Sequence, residues 1–258
     1  MKIHVMTLAA VAALAAAPRV EAAQGIQLTQ KISNGTSTQT LQIQLDNSHM
    51  RTELVNPASG TKQIVIFDGA KQVLYIVNSE RKIYTEMTRA DVDRMAAQLQ
   101  SMRGMMANLP PAQRAQMEAR MGGAGAPVKP EYKRAGTDHV GRWTCDKYEG
   151  YVNGTKTTEL CTVPPTALGF AMADLDVTRQ MADFYSKMAP QGADQVSSVG
   201  RLEDQGFSGF PVKRVITAGQ SQITMEIVDA SRTNLPDDTF TLPAGFTKQT
   251  MPTMGGGR

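Results

Sequence analysis

Cys145 and Cys161 are the two cysteines of this 258-residue chain, and they bracket Asn153-Gly154, a strong hairpin-turn signal. Side chains alternate faces along a strand, so two cysteines of one hairpin can bridge only in a register that points both to the same face. The spacing predicts a three-residue loop, Val152-Asn153-Gly154, with Gly154 left-handed, Tyr151 paired with Thr155, and Cys145 opposite Cys161. A two-residue loop would set Cys161 opposite Asp146 and point the sulfurs apart. A bridge closing a loop of about 15 residues is worth roughly 3 kcal/mol in the chain-entropy model. Two buried free thiols, or a redox pair, are the alternatives, but reactive dithiols usually sit two residues apart at a helix start. The bridge is therefore expected to be structural, in a polar hairpin spanning about 142–162 and away from the apolar helices.

The N-terminus also points to an oxidising compartment. Lys2, the apolar run Val5 to Ala17 and the small residues of Val20-Glu21-Ala22 have the form of a signal peptide over residues 1–22. That run is too short to span a bilayer permanently, and no later segment approaches the roughly 18 apolar residues needed. An exported, soluble, periplasmic protein is expected, not an integral membrane protein. It is not expected to be a lipoprotein, because no cysteine stands near the cleavage site.

Removal of the leader leaves about 235 residues, and no Pro/Gly/Ser-rich linker divides them, so residues 23–250 are expected to form a single domain. The final stretch, 251–258, has the composition of a disordered tail. Lys and Arg number 27 against 24 Asp and Glu, with no basic stripe interleaved with aromatics, so nucleic acid is not an expected partner.

From Ile26 to Met87 the chain reads as a meander. Leu41, Ile43 and Leu45 alternate with Gln42 and Gln44, and the pattern resumes at Met50, Thr52 and Leu54 after Asp46-Asn47-Ser48. Ile64 to Phe67 and Val73 to Val77, separated by Asp68-Gly69, are apolar on both faces and must be covered on both. The cover expected is helical. Thr88 is a fitting N-cap with Asp91 in the first turn, and Val92, Met95, Leu99, Met102, Met106 and Leu109 recur at spacings of three and four. Pro110-Pro111 ends that helix and begins another carrying Met117 and Met121, which Gly122-Gly123 terminates. A helical hairpin over about 88–122, rich in Met on its inner face, is the result. A third helix, from about Leu175 to Met188, presents Val177, Met181, Phe184 and Met188, with Asp174 as cap and Pro190 as stop. Strands return at Ser197 to Glu203, Phe210 to Thr217 and Gln222 to Asp229, with Thr239 to Leu242 closing the sheet. The expected class is α+β: a curved antiparallel sheet of about eleven strands, a half-barrel, with the helices on its concave side.

Several segments carry a resemblance to a known family. Ile66-Phe67-Asp68-Gly69, Tyr84-Thr85-Glu86-Met87, Leu109-Pro110-Pro111, Trp143-Thr144-Cys145-Asp146-Lys147-Tyr148, Glu159-Leu160-Cys161 and Leu242-Pro243-Ala244-Gly245-Phe246 resemble the exported bacterial family called domain of unknown function 4412. The Trp-x-Cys to Leu-Cys spacing is its most specific element. The resemblance implies an architecture similar to the half-barrel of the periplasmic lipoprotein carriers, whose concave side accepts acyl chains. Fold likeness assigns no function by itself.

Three functions compete. In the first, Ile64, Ile66, Leu74, Ile76, Met95, Leu99, Met102, Met106, Met181, Phe184 and Met188 line a cleft for a lipid or other hydrophobe, since Met adapts to irregular apolar ligands. For any single Met of the stripe, ordinary core packing against Ile64, Ile66, Leu74 and Ile76 is the plainer reading. In the second, Met102, Met105, Met106, Met117 and Met121 present thioethers to Cu(I). In the third, catalysis, the residues offer little: His139 stands in an expected loop beside Asp138, Asp237-Asp238 lie in a turn next to Pro236, and no phosphate loop or metal spacing occurs. No enzyme activity and no cofactor are expected. An envelope protein partner, or anionic headgroups meeting Arg89, Arg94, Arg103, Arg114 and Arg120, fits every one of these readings.

Overall fold

The structure, a computed structural model, describes residues 24–35, 37–113, 116, 130–186 and 205–250. The expected leader, Met117 and Met121, Met188, the strand at Ser197 to Glu203 and the tail lie outside the described residues. Among the described residues, twelve strands form one open sheet in the order β12-β6-β5-β4-β3-β2-β1-β11-β10-β9-β8-β7. In chain order these are β1 (Gln24–Asn34), β2 (Ser37–Leu45), β3 (His49–Val55), β4 (Lys62–Asp68), β5 (Val73–Asn78), β6 (Ile83–Thr88), β7 (Glu131–Val140), β8 (Trp143–Val152), β9 (Thr155–Val163), β10 (Phe210–Ala218), β11 (Ser221–Asn234) and β12 (Thr247–Gln249). Helix α1 (Arg89–Ala107) follows β6, and two 3-10 turns (Pro165–Leu168, Met172–Leu175) lead into α2 (Asp176–Ser186). All ladders are antiparallel except β12 with β6, which is parallel.

The inner face is an apolar row running across six strands. Ile26 pairs with Leu45, Leu45 with Met50, Met50 with Phe67, Phe67 with Leu74, and Leu74 with Met87. All six are buried, and one cluster unites them with side chains from α1, α2 and every other strand except β12. Adjacent strands lie about 4.8 Å apart, so a flat sheet of this width could not share one core with a single helix, and the sheet must curve around α2. Phe184 of α2 meets Phe67 edge-on at 5.5 Å between ring centres.

The outer face changes character along the same sheet. One row reads Gln27, Gln44, Arg51, Ile66, Tyr75, Glu86, and the next Gln42, Glu53, Ile64, Val77, Tyr84. Over β1–β3 it is polar and needs no cover. Over β4–β6 it is apolar, and the cover there is not helical as expected but the irregular C-terminal segment 235–246, hereafter the clasp. Ile64, Ile66 and Val77 are buried against Tyr75, Tyr84, Phe240, Leu242 and Phe246. Leu235 seats the start of the clasp on Gly25, where a Cβ would press into the Leu235 side chain and lie 2.8 Å from the Leu45 carbonyl oxygen. Thr239 to Leu242, expected as the closing strand, is turn and bend; the closing strand is β12.

The disulfide forms, by a different register from the one expected. Asn153 (φ 49°) and Gly154 (φ 78°) make a two-residue turn with Val152 opposite Thr155, and a bulge follows, with Tyr151 opposite Lys156 but Gly150 opposite Thr158. Thr157 is the extra residue. Its insertion places Cys161 opposite Lys147, two residues along β8 from Cys145 and on the same face, so the bridge is diagonal with a Cα–Cα distance of 5.4 Å. The same-face requirement is met by a short turn plus a bulge in place of a longer loop. Both cysteines are buried in the main apolar core beside Val140, Trp143 and Val163, not in a polar hairpin.

Candidate functional site

Helix α1 starts where the sequence places it. Thr88 N donates to Asp91 Oδ2 at 3.0 Å and Asp91 N donates to Thr88 Oγ1 at 3.3 Å, closing a reciprocal cap. The Thr88 hydrogen bonds hold the Asp91 carboxyl below its usual range. Val92 is fully buried, yet along the rest of the stripe Met95, Leu99, Met102, Met106 and Leu109 are only half-buried. Only Met95 of these packs against the main core cluster. A fully buried Leu or Met contributes roughly 1.5–3 kcal/mol, so half-burial anchors the later turns far less firmly than Val92 anchors the first.

The proposed cleft residues fall into three groups. Leu74, Met181 and Phe184 are buried together on the inner face with Ile76 at their margin. Met95, Leu99, Met102 and Met106 line the half-covered side of α1. Ile64 and Ile66 lie on the opposite face of the sheet beneath the clasp, because their cross-strand partners are Val77 and Tyr75, not Leu74 and Ile76. Strand parity alone separates these pairs. The thioether set for Cu(I) is only partly described: Met105 is 64 % exposed, while Met102 and Met106 share the half-buried stripe. His139 stands in β7, not in a loop, with its Nδ1 3.2 Å from Thr144 Oγ1.

A second region is a cavity of about 450 Å³ where the β2–β3 and β4–β5 turns meet the clasp. Asp46 accepts from the backbone N of Ser48 at 2.7 Å and of His49 at 2.6 Å, and His49 Nδ1 donates to Asp46 Oδ2 at 3.1 Å. The imidazole stacks on Phe240 of the clasp at 5.2 Å, with Nε2 3.9 Å from Asp68 Oδ2. Asp68 is buried and accepts from Lys71 Nζ at 2.7 Å and Lys71 N at 2.9 Å. Burial alone would raise the Asp68 carboxyl, but the Lys71 hydrogen bonds and charge, with His49, outweigh it and hold it below its ordinary value. Burial, and then the Glu86 charge, push the Tyr75 phenol up. This constellation is hard to see in sequence, because Asp46-Asn47-Ser48-His49 and Asp68-Gly69-Ala70-Lys71 each read as a solvated turn.

Among the described residues no helix is long and apolar enough to cross a membrane, and no group of three or more His, Cys, Asp or Glu has the geometry to hold a metal ion. No curated protein matches the chain. Its fold is similar to that of an uncharacterized conserved protein from Thermus thermophilus, at 10% identity and a TM-score of 0.46, covering 89% of this chain and 91% of that one. MucB is similar at 12% identity and a TM-score of 0.40, over 88% of this chain and 60% of that one. The MucA/MucB complex of Pseudomonas aeruginosa gives 12% identity and a TM-score of 0.37, over 87% and 57%. This chain thus spans about three-fifths of the MucB length. Among family models, the match begins at the lead into β7 and ends in the clasp, leaving the motifs at 66–69, 84–87 and 109–111 outside it. Over residues 130–246, which hold the disulfide hairpin and the Leu242 to Phe246 motif, the chain matches the family described as Domain of unknown function (DUF4412).

Proposed function

We propose that this protein is a non-enzymatic binding protein of the bacterial periplasm, exported by the leader 1–22 as one domain, that takes an acyl chain between α1 and the inner face of the sheet. One observation carries this reading: α1 is fixed by its first turn, through the Thr88–Asp91 cap and buried Val92, while Met95, Leu99, Met102 and Met106 remain half-buried. Beneath α2 the core of Phe67, Leu74, Met181 and Phe184 is already packed, so the ligand enters under α1 and lies against the margin marked by Val65 and Ile76. Met suits such a surface because its thioether chain repacks around irregular apolar shapes.

Protein isolated natively and measured by intact mass spectrometry is expected to carry lipid, and fluorescent fatty acids or acylated peptides are expected to bind the delipidated form. Leu99→Asp with Met102→Asp should lose at least about tenfold in affinity with little change in thermal midpoint, because a half-exposed helix face tolerates charge better than a core does. Protein that stays empty and ignores all these probes would show the carrier reading to be wrong.

A further inference from the structure

We propose that the cavity bounded by the β2–β3 turn, the β4–β5 turn and the clasp binds an ammonium or guanidinium group carried on an apolar stem. It lies on the other side of the sheet from the acyl site proposed above, so the two stand or fall separately. Its walls divide by chemistry. Tyr75, Phe240, Leu235, Pro236 and Leu242 form the apolar side, and Asp46, Asp68 and Asp237 face them together with Lys71 and the His49 imidazole. Three carboxylates against one ammonium and one imidazole disfavour an anionic guest. Aromatic faces beside carboxylates attract a cation from two directions, by Coulomb interaction and by the ring quadrupole. The volume of about 450 Å³ lies within the range of small-molecule sites.

Lys71 shows what the site accepts. Its ammonium rests 2.7 Å from Asp68 Oδ2, yet the side chain is 73 % exposed and reaches in from solvent. Asp68, by contrast, is held firmly: its side chain is 8 % exposed and its Oδ1 takes the Lys71 backbone N. A buried, fixed carboxylate that meets its cation on a loose, solvent-borne arm is a place where an incoming cation can exchange with the resident one. The arm then acts as a competing internal ligand. A purely structural ion pair would not behave so, since removal of Lys71 would weaken the site and enhance nothing.

Calorimetric titration of the full mature chain with phenethylamine, agmatine and a capped Gly-Lys-Gly peptide tests this, with acetate and inorganic phosphate as anionic controls. The amines are expected to bind, and Lys71→Met should tighten binding by about fivefold, the upper worth of an exposed ion pair. Asp237→Asn, a rim substitution that disturbs no buried group, should weaken binding. Amide shifts on titration should map to residues 46–49, 68–71 and 237–242. Tighter binding of the peptide than of the free amines would assign the guest as a protein side chain, and the reverse order would assign a small amine; both support the site. Absence of amine binding in wild type and in folded Lys71→Met, equal affinity across both variants, or preference for acetate or phosphate would overturn it.

Discussion

Thr157 and the two cysteines show how one residue sets chemistry at a distance along a strand. The extra residue at the bulge restores the parity that the Asn153-Gly154 turn breaks, and it carries Cys161 onto the Cys145 side of the sheet. Because both sulfurs lie in the main core, the bridge ties the neighbouring strands β8 and β9 together from their buried face and does not merely close a surface loop. Replacing both by alanine is expected to cost about 3 kcal/mol of loop-closure entropy, read as a lower urea midpoint than the oxidised wild type. The double variant should keep its acyl ligand, since the bridge joins β8 and β9, toward the other end of the sheet from β6, which α1 follows. A folded double variant that no longer binds fatty acid would contradict that separation. Parity was legible in the sequence and the bulge was not, because Thr157 differs in no residue type from its neighbours Thr155 and Thr158. The same parity separates Ile64 and Ile66 from Leu74 and Ile76.

Among elements, α1 is the one whose sequence signals and structure agree most closely. Its cap, its stripe and its end before Pro110 are all local features of composition. Thr88→Ala is expected to cost about 1 kcal/mol, the usual worth of an N-cap. That loss should appear as faster amide exchange confined to α1, with a thermal midpoint close to wild type, because the cap supports a helix docked by one buried residue. Uniform acceleration across β1–β6 would mean that α1 is integral to the sheet. Strand β7 escaped prediction because it is an edge strand exposed along nearly its whole length and so bears no apolar alternation. β11 runs past its expected end at Asp229 because Val228 is the extra residue of a second bulge, exposed and out of phase. The clasp was invisible for a related reason: Phe240, Leu242 and Phe246 cover the sheet from irregular backbone, where neither period 2 nor period 3.6 applies.

For the whole molecule, charge is distributed so that acid is the threat. Burial raises the Glu53 carboxyl, but Lys62 and Arg51 together outweigh that and hold it below its ordinary value. Asp68, against burial and through Lys71, and Asp91, through the Thr88 hydrogen bonds, are also held below the usual carboxylate range. Folded values below unfolded ones mean that this stabilisation is complete above the unfolded values and is lost as pH falls through them toward the folded ones. Urea midpoints are expected to be flat from about pH 8 to 6 and to drop below about pH 4.5. Glu53→Gln should flatten part of that drop, and an unchanged acid profile would remove Glu53 from the account.

The pairing of Gln24 with Asn234 joins the first strand to the last long one. β1 to β6 emerge first, and the inner row from Ile26 to Met87 waits for α2 to cover it and then for β11 to pair with β1. Long-range pairing of this kind is slow, and the waiting half-sheet is a sticky surface. The chain should therefore depend on chaperones that shield its early strands, and a truncation that ends before β11 should aggregate instead of yielding half a protein.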